Sequence, residues 1–239
     1  MRSTKRKAVL VTGAAGFVAR CILPRLQEHY RLRLLDNRPI EKYGDAEVVE
    51  ADIRSLDEML AACEGMDTVV HLAAEPGMNA PFERLLEPNI IGAYTVFEAA
   101  RQVQCSRLIF ASSINTVKGY GPGTSVTWNM PVNPINLYGA TKCFGEALAR
   151  YYAHQGLSAV CVRIGQIRRQ GDSFENKPSD PYNEAWISDR DLANLFDLCI
   201  RTENIAFAIV HGLGRHEFPR LSMAHTSALL GFEPLDGSI

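Results

Sequence analysis

The stretch AVLVTGAAGFVAR, residues 8–20, decides how the rest of the chain is read. Its first five residues are uncharged and mostly aliphatic, the composition of a strand buried on both faces. Gly13 and Gly16 then break the run, and a helical pattern follows from residue 17 to about residue 28. A buried strand, a glycine turn and a helix in quick succession open a βαβ unit. Outward from it the alternation repeats. Apolar runs at 32–36, 46–52, 67–74, 107–113, 158–165 and 205–212 are expected strands, and 55–63, 81–103, 137–154 and 187–200 expected helices. Ser188, with Asp191 three residues on, is placed to cap the last helix.

Parallel strands joined by helices require right-handed crossovers. The expected fold is therefore α/β: a Rossmann-type doubly wound parallel sheet, one domain over 1–239 with a small C-terminal substrate-binding portion. Composition agrees, with 46% hydrophobic and 22% charged residues. A formal net charge of -2 gives no global attraction to nucleic acid or to an anionic membrane. The basic start MRSTKRK is followed by an apolar run too short and too glycine-rich for a signal or a membrane span. The six cysteines are scattered with no C-x-x-C pair, and the six histidines lack metal-ligand spacing. A cytoplasmic protein without a metal is expected.

The glycine turn has the spacing of a nucleotide site. Gly13 and Gly16 allow the backbone to approach a pyrophosphate, Ala19 lets helix pack close to strand, and the helix N-terminus offers unpaired N–H groups. Asp36 ends the second strand, 23 residues after Gly13, where an acidic side chain meets ribose hydroxyls. Its charge repels a 2′-phosphate, so NAD is expected over NADP, with Arg38 close enough to weaken the preference. Asp52 and Ile53 after the third strand are candidates for the adenine edge and face. Three loops, 75–82, 114–136 and 166–187, follow strands at their carboxyl ends, where open α/β sheets bind ligands.

Tyr138 and Lys142 stand four apart on an expected helix and so share a face. Taken in order, TGAAGFVA, Asp36, the DI pair at 52–53, HLAA at 71–74, FASS at 110–113 and YGATK at 138–142 make the chain resemble the extended short-chain dehydrogenase/reductases, the NAD-dependent epimerase/dehydratase family. The stretches 81–101, 137–152, 162–165 and 229–236 are most similar to its uronate dehydrogenases, which oxidise C1 of a hexuronic acid. The resemblance implies Tyr138 as the acid/base, with Lys142 lowering its pKa and holding the nicotinamide ribose. A free phenol titrates near 10, and a lysine on the same face and the positive nicotinamide both favour phenolate. Ser113 would hydrogen-bond the reacting oxygen, with Ser112 as the fallback.

The resemblance also implies cofactor contacts from Ala15, Phe17 and Val18, from Leu72, Ala73 and Ala74, and from Asn89 and Ile164. For Asn89 a structural role is an equal alternative. A sugar or sugar-acid substrate would meet Glu75, Ser113, Ile114, Asn115 and Gln166, with Arg168 and Arg169 as a carboxylate clamp or as solvated surface arginines. The pattern departs from the uronate enzymes at Phe17, where they carry Gln, at Ile114-Asn115, where they carry Asn-His, and at Gln166, where they carry Ser. The helices 81–103 and 137–154 resemble those through which the family forms homodimers. Phe144, Leu148 and Tyr152 are expected in the core or on that surface, and His71 and His211 near strand ends. Two alternatives remain: a sugar epimerase of the same family, or a non-catalytic dinucleotide sensor. The dehydratases carry an acidic pair where this chain has Ile114-Asn115, and only 101 residues follow Tyr138 to cover a nucleotide sugar.

Overall fold

Strand β1 (Ala8–Thr12) is buried along its whole length and lies near the middle of a seven-stranded sheet in this computed structural model, which describes residues 6–121, 123–168, 185–216 and 219–238. The other strands are β2 (Arg31–Asp36), β3 (Glu47–Glu50), β4 (Thr68–His71), β5 (Arg107–Ser113), β6 (Ser158–Ile164) and, after two short strands, β9 (Phe207–Gly212). Their order is β3-β2-β1-β4-β5-β6-β9, and every pairing is parallel. The order reverses between β1 and β4, which opens a crevice above their carboxyl ends.

Helices cover both faces. On one lie α1 (Phe17–His29) and α6 (Asp189–Arg201), whose Ile22, Leu26, Leu192 and Phe196 pack on Val11, Val162 and Val210. On the other lie α2 (Leu56–Cys63), α4 (Ala93–Gln102) and α5 (Leu137–Ala153), burying Met59, Phe97 and Tyr152 on Leu10, Phe110 and Cys161. Tyr152 stacks on Phe97 with ring centroids 5.6 Å apart and donates to Glu98 at 2.9 Å. It is core, as its helical spacing allowed. All six cysteines are free thiols. No helix among the described residues is long and apolar enough to cross a membrane.

Several boundaries differ from expectation. The edge strand β3 spans four residues and is largely exposed, because it has a neighbour on one side only. Strand β4 stops at His71, so residues 72–74 form a loop above the sheet. The expected single helix over 81–103 is three segments: α3 (Phe82–Leu85), a π-helical stretch (Leu86–Gly92) and α4. Pro88 lies inside that stretch and has no N–H to give a helical ladder. Ser188 caps α6 by accepting from the Asp191 amide at 3.0 Å, as its spacing indicated. Beyond β6, β7 (Gln166–Arg168) and β8 (Trp186–Ser188) pair in parallel. Most of the expected 166–187 loop, including Arg169, falls outside the described residues.

Candidate active site

A cleft of about 640 Å³ opens at the reversal in strand order. Gly13, Ala15, Gly16 and Phe17 form one wall, Asp36, Asp52 and Ile53 the far end, and Leu72, Ala73, Ala74 and Glu75 the near end. Gly13 adopts φ +72°, and a Cβ there would come within 2.6 Å of the Ala73 amide nitrogen. Only glycine lets the turn and the 72–74 loop approach so closely. Gly16 begins α1 without a side-chain cap, so the first N–H groups of that helix are left for an anion. These features fit a dinucleotide. Val18 is turned away and packs against the apolar core.

Asp36 is buried, and its carboxylate is already engaged. One oxygen accepts from the Ala15 amide at 3.0 Å, and the other accepts from the Arg38 amide and Nε, both at 3.1 Å. A carboxylate offers about four lone-pair positions, so capacity for a ribose hydroxyl remains. Asp52 pairs with Arg54 at 2.6 Å, which holds its carboxyl below the usual range. Ile53 is buried against the π-helical stretch, where a Cβ on Gly92 would meet its Cδ1 at 2.5 Å.

Asn89, in the middle of that stretch, holds two parts of the site together. Its Oδ1 accepts from the Glu75 amide at 2.8 Å, and its Nδ2 donates to the Glu75 carbonyl at 3.1 Å and to Thr141 Oγ1 at 3.0 Å. Thr141 in turn donates to the Tyr138 carbonyl at 2.8 Å. The near end of the cleft is thereby tied to the first turn of α5. All of these polar positions on Asn89 serve the backbone and its neighbours, the structural reading of this residue. The Glu75 carboxylate is bound to the Gly77 amide and to Arg84.

Helix α5 carries Tyr138 and Lys142 against β5. Gly145 makes this possible: a Cβ there would sit 2.1 Å from the Phe110 ring. Lys142 is buried, with Nζ 4.9 Å from the Phe110 ring centroid and 5.6 Å from that of Tyr138. Among the described residues no carboxylate lies within ion-pair distance of it. Burial pulls the Lys142 ammonium down to about 8. Burial pushes the Tyr138 phenol up to about 12, and the nearby Ser113 hydroxyl pulls in the opposite direction. The lowering expected from Lys142 and the nicotinamide together belongs to the cofactor-loaded site. In the free site desolvation is the largest influence on the phenol. His71 is also buried, bonded to Thr12 Oγ1 at 2.7 Å, and held neutral by burial and by Lys142, its imidazole at about 3.

Ser113 and Ser112 part company. Ser113 accepts from the Asn115 amide at 3.2 Å and from Asn115 Nδ2 at 3.0 Å. Ser112 points to the α5 face and donates to Glu146 at 2.6 Å. Glu146 is held by Arg163 through two bonds of 2.8 Å, both residues fully buried. The fallback serine therefore belongs to a closed structural network. Of the remaining expected substrate residues, Ile114 packs with Val117, Val126 and Leu213 in a small apolar cluster, which removes it from a polar pocket. Asn115 is spoken for on both sides, its Oδ1 accepting from Asn136 at 3.0 Å. Gln166 is exposed in β7, and Arg168 lies over the Trp186 ring at 5.0 Å. Ile164 ends β6 beside Ser113. His211 is buried in β9 and bonds the Ser222 carbonyl.

Comparison with known proteins bears directly on this arrangement. Residues 9–179 match the model of the NAD dependent epimerase/dehydratase family. The chain belongs to that family. It is 34% identical to the NAD-dependent glucose-6-phosphate dehydrogenase of Haloferax volcanii, over 96% of this chain and 94% of that one. It is 31% identical to the L-arabinose 1-dehydrogenase (NAD(P)(+)) of the same organism, over 96% and 97%. The crystal structure of uronate dehydrogenase from Agrobacterium tumefaciens superposes with a TM-score of 0.85 at 33% identity, covering 97% of this chain and 85% of that chain. The similarity to the uronate enzymes and the Rossmann-type sheet are thus both found, and the epimerase/dehydratase family is an NAD family with dehydrogenase members.

Asn136 escaped the sequence reading. It lay at the end of a segment taken for a loop, yet its side chain accepts from the Gly139 amide at 2.7 Å and caps α5. An asparagine directly before a helical run is the signal that marks it.

Proposed function

We propose that this NAD-dependent dehydrogenase oxidises a hydroxyl, at the anomeric C1, of a sugar or sugar acid. The observation that carries the reading is the joining of Ser113, Tyr138 and Lys142 at one place, with Asn89 linking them to the near end of a dinucleotide-shaped cleft. When bound, NAD supplies the acceptor for the hydride that leaves the substrate carbon. Tyr138 takes the hydroxyl proton as the carbon–oxygen bond becomes a carbonyl. Ser113 hydrogen-bonds that oxygen. Lys142 remains an ammonium at neutral pH, and its charge, with that of the bound cofactor, favours phenolate against the cost of burial.

Gly13, Ala15, Gly16 and Phe17 would receive the pyrophosphate, Asp36 the adenosine ribose, Asp52 and Ile53 the adenine. Asp36 favours NAD over NADP. Arg168 and Arg169 are the candidates for an anionic end of the substrate, whether carboxylate or phosphate. The relatives' substrates include a uronate, a sugar phosphate and a neutral pentose by name, and the clamp distinguishes among these. The chain would act in the cytoplasm as a single-domain protomer. It would pair with a second copy through Ile91 on the π-helical stretch, Tyr94 on α4, and Leu137 and Tyr151 on α5, all exposed apolar side chains. Sedimentation of Tyr94→Glu against wild type checks the pairing.

The test is NADH formation by purified protein with NAD or NADP against D-glucuronate, D-galacturonate, glucose 6-phosphate and L-arabinose. Turnover with an anionic sugar, lost in Arg168→Ala, supports the clamp. Turnover with arabinose alone keeps the chemistry and removes the clamp. No turnover, with NAD bound, moves the assignment to an epimerase or a sensor.

A further inference from the structure

One hydrogen-bond chain runs under the candidate active site, and its direction is fixed at both ends by the backbone. The Gly139 amide can only donate, and it donates to Asn136 Oδ1 at 2.7 Å. The Asn136 carboxamide is therefore oriented, and its Nδ2 faces Asn115, donating to Oδ1 at 3.0 Å. That orients Asn115 in turn, leaving its Nδ2 to donate to Ser113 Oγ at 3.0 Å. The Asn115 amide, which also can only donate, gives Ser113 Oγ a second bond at 3.2 Å. A serine hydroxyl has two lone pairs and one proton. Both lone pairs of Ser113 are taken.

The geometry points to Asn115 as a positioning residue that makes Ser113 an obligate donor: with both acceptor sites filled, the hydroxyl proton is directed outward to Tyr138 Oη and, during turnover, to the reacting oxygen. This rests on the dehydrogenase reading of the site and goes beyond it, since the Ser–Tyr–Lys set alone leaves the serine free to accept or donate. The direction matters chemically. A donor stabilises negative charge on the phenolate or on the substrate oxygen, whereas an acceptor opposes it. The backbone of Asn115 lies close against the first turn of α5. Gly139 accommodates it, because a Cβ there would lie 2.5 Å from the Asn115 carbonyl oxygen. The chain is built from residues that are buried or half-buried, so water competes little for these bonds.

The nearly isosteric Asn115→Asp variant tests the claim. A carboxylate cannot donate, and it still accepts from Asn136. The Ser113 hydroxyl then turns its proton toward the new carboxylate and away from Tyr138. Asn115→Ala removes the side-chain donor without supplying an acceptor. With the panel sugar that wild type oxidises best, kcat is expected to fall about 100-fold in Asn115→Asp and about 10-fold in Asn115→Ala, with the NADH dissociation constant unchanged by fluorescence. A merely structural role predicts instead that kcat falls in step with stability read by urea unfolding in both variants, with the Tyr138 titration unmoved.

A second readout needs no substrate. Tyrosine labelled at the ring carbon bearing the hydroxyl, with the Tyr138 signal assigned by its loss in Tyr138→Phe, is titrated by NMR in the NAD complex. The Tyr138 midpoint should move up in Asn115→Asp by about one unit, consistent with loss of one donor and approach of a negative charge. An unchanged midpoint, or equal activity of Asn115→Asp and wild type, overturns the proposal. Full turnover in Tyr138→Phe would instead overturn Tyr138 as the acid/base, and the NMR titration would still report on the hydrogen-bond chain.

Discussion

Ser112 and Ser113 are adjacent in sequence, both buried, and built into opposite kinds of polar cluster. Around Ser112 each group is matched: serine to Glu146, Glu146 to Arg163 by two bonds, Arg163 onward to the Trp128 carbonyl. Around Ser113 the charges are unmatched. Lys142 is buried beside two aromatic rings with its ammonium pulled down to about 8, and the Tyr138 phenol is pushed up to about 12. One cluster holds strands to helix. The other keeps unmet electrostatic demand in a desolvated place, which is the condition under which a bound cation or a developing oxyanion changes proton affinity most. A charge matched by its partner marks structure here, and a charge left unmatched marks chemistry.

Removing the phenol should produce the largest effect. Tyr138→Phe is expected to lower kcat by about 1,000-fold or more, the usual scale for loss of a general base, with NADH binding retained. Thermal unfolding should be unchanged or slightly improved, since among the described residues the hydroxyl has no neighbour acting on it beyond Ser113. A variant with normal turnover would dissolve the contrast between the clusters. Breaking the closed cluster should act on stability instead. Glu146→Ala leaves Arg163, 1% exposed, without a counter-charge and should cost about 3–5 kcal/mol by urea unfolding. Replacing both partners with Leu and Met should recover most of that loss.

Lys142 gives a prediction with a pH sign. Its folded pKa, about 8, is below its ordinary 10.5, so between those values the unfolded chain binds the additional proton. Stability of the free protein from this group therefore rises as pH increases from 8 toward 10.5, and is lowest where the lysine is charged in both states. Lys142→Met should be more stable than wild type at pH 7, by on the order of 2 kcal/mol, the gap closing toward pH 10. A constant gap across that range would show that packing, rather than buried charge, separates the two proteins. The same variant should lose turnover.

The two clusters were also unequally legible. Strands β1 and β5 are where their apolar runs placed them, because a strand buried on both faces leaves a continuous signal. Tyr138, Lys142 and Ser113 were legible as residue types in order, and Gly13 and Asp36 by spacing. Arg163 was not. It stands inside the run SAVCVRI, and nothing local says that its partner is Glu146 on the preceding helix. Nor was the π-helical stretch, since hydrophobic periodicity over 81–103 does not resolve one added residue per turn, though Pro88 was a warning. Asn115 was read as a substrate contact from its place after Ser113. Its actual partners, Ser113 and Asn136, are set by how α5 begins against the end of β5, a tertiary matter.

The finest test of the contrast is the smallest change. Ser112→Ala removes one bond to a carboxylate that Arg163 still holds, so Glu146 keeps its charge partner and no bare buried charge results. The expected cost is about 1–2 kcal/mol of stability, read by urea unfolding, with kcat and its pH profile unchanged. Ser113→Ala should differ in turnover, losing about 100-fold in kcat, and should also cost about 1–3 kcal/mol of stability because two buried Asn115 donors lose their acceptor. The side chains alternate along β5, so a one-residue error in assigning the strand would exchange the two outcomes. If Ser112→Ala proved the inactive variant and Ser113→Ala kept full kcat, the register of β5 against α5 would be wrong by one residue. The Asn115 chain would then serve the fold and the Glu146–Arg163 pair would face the substrate.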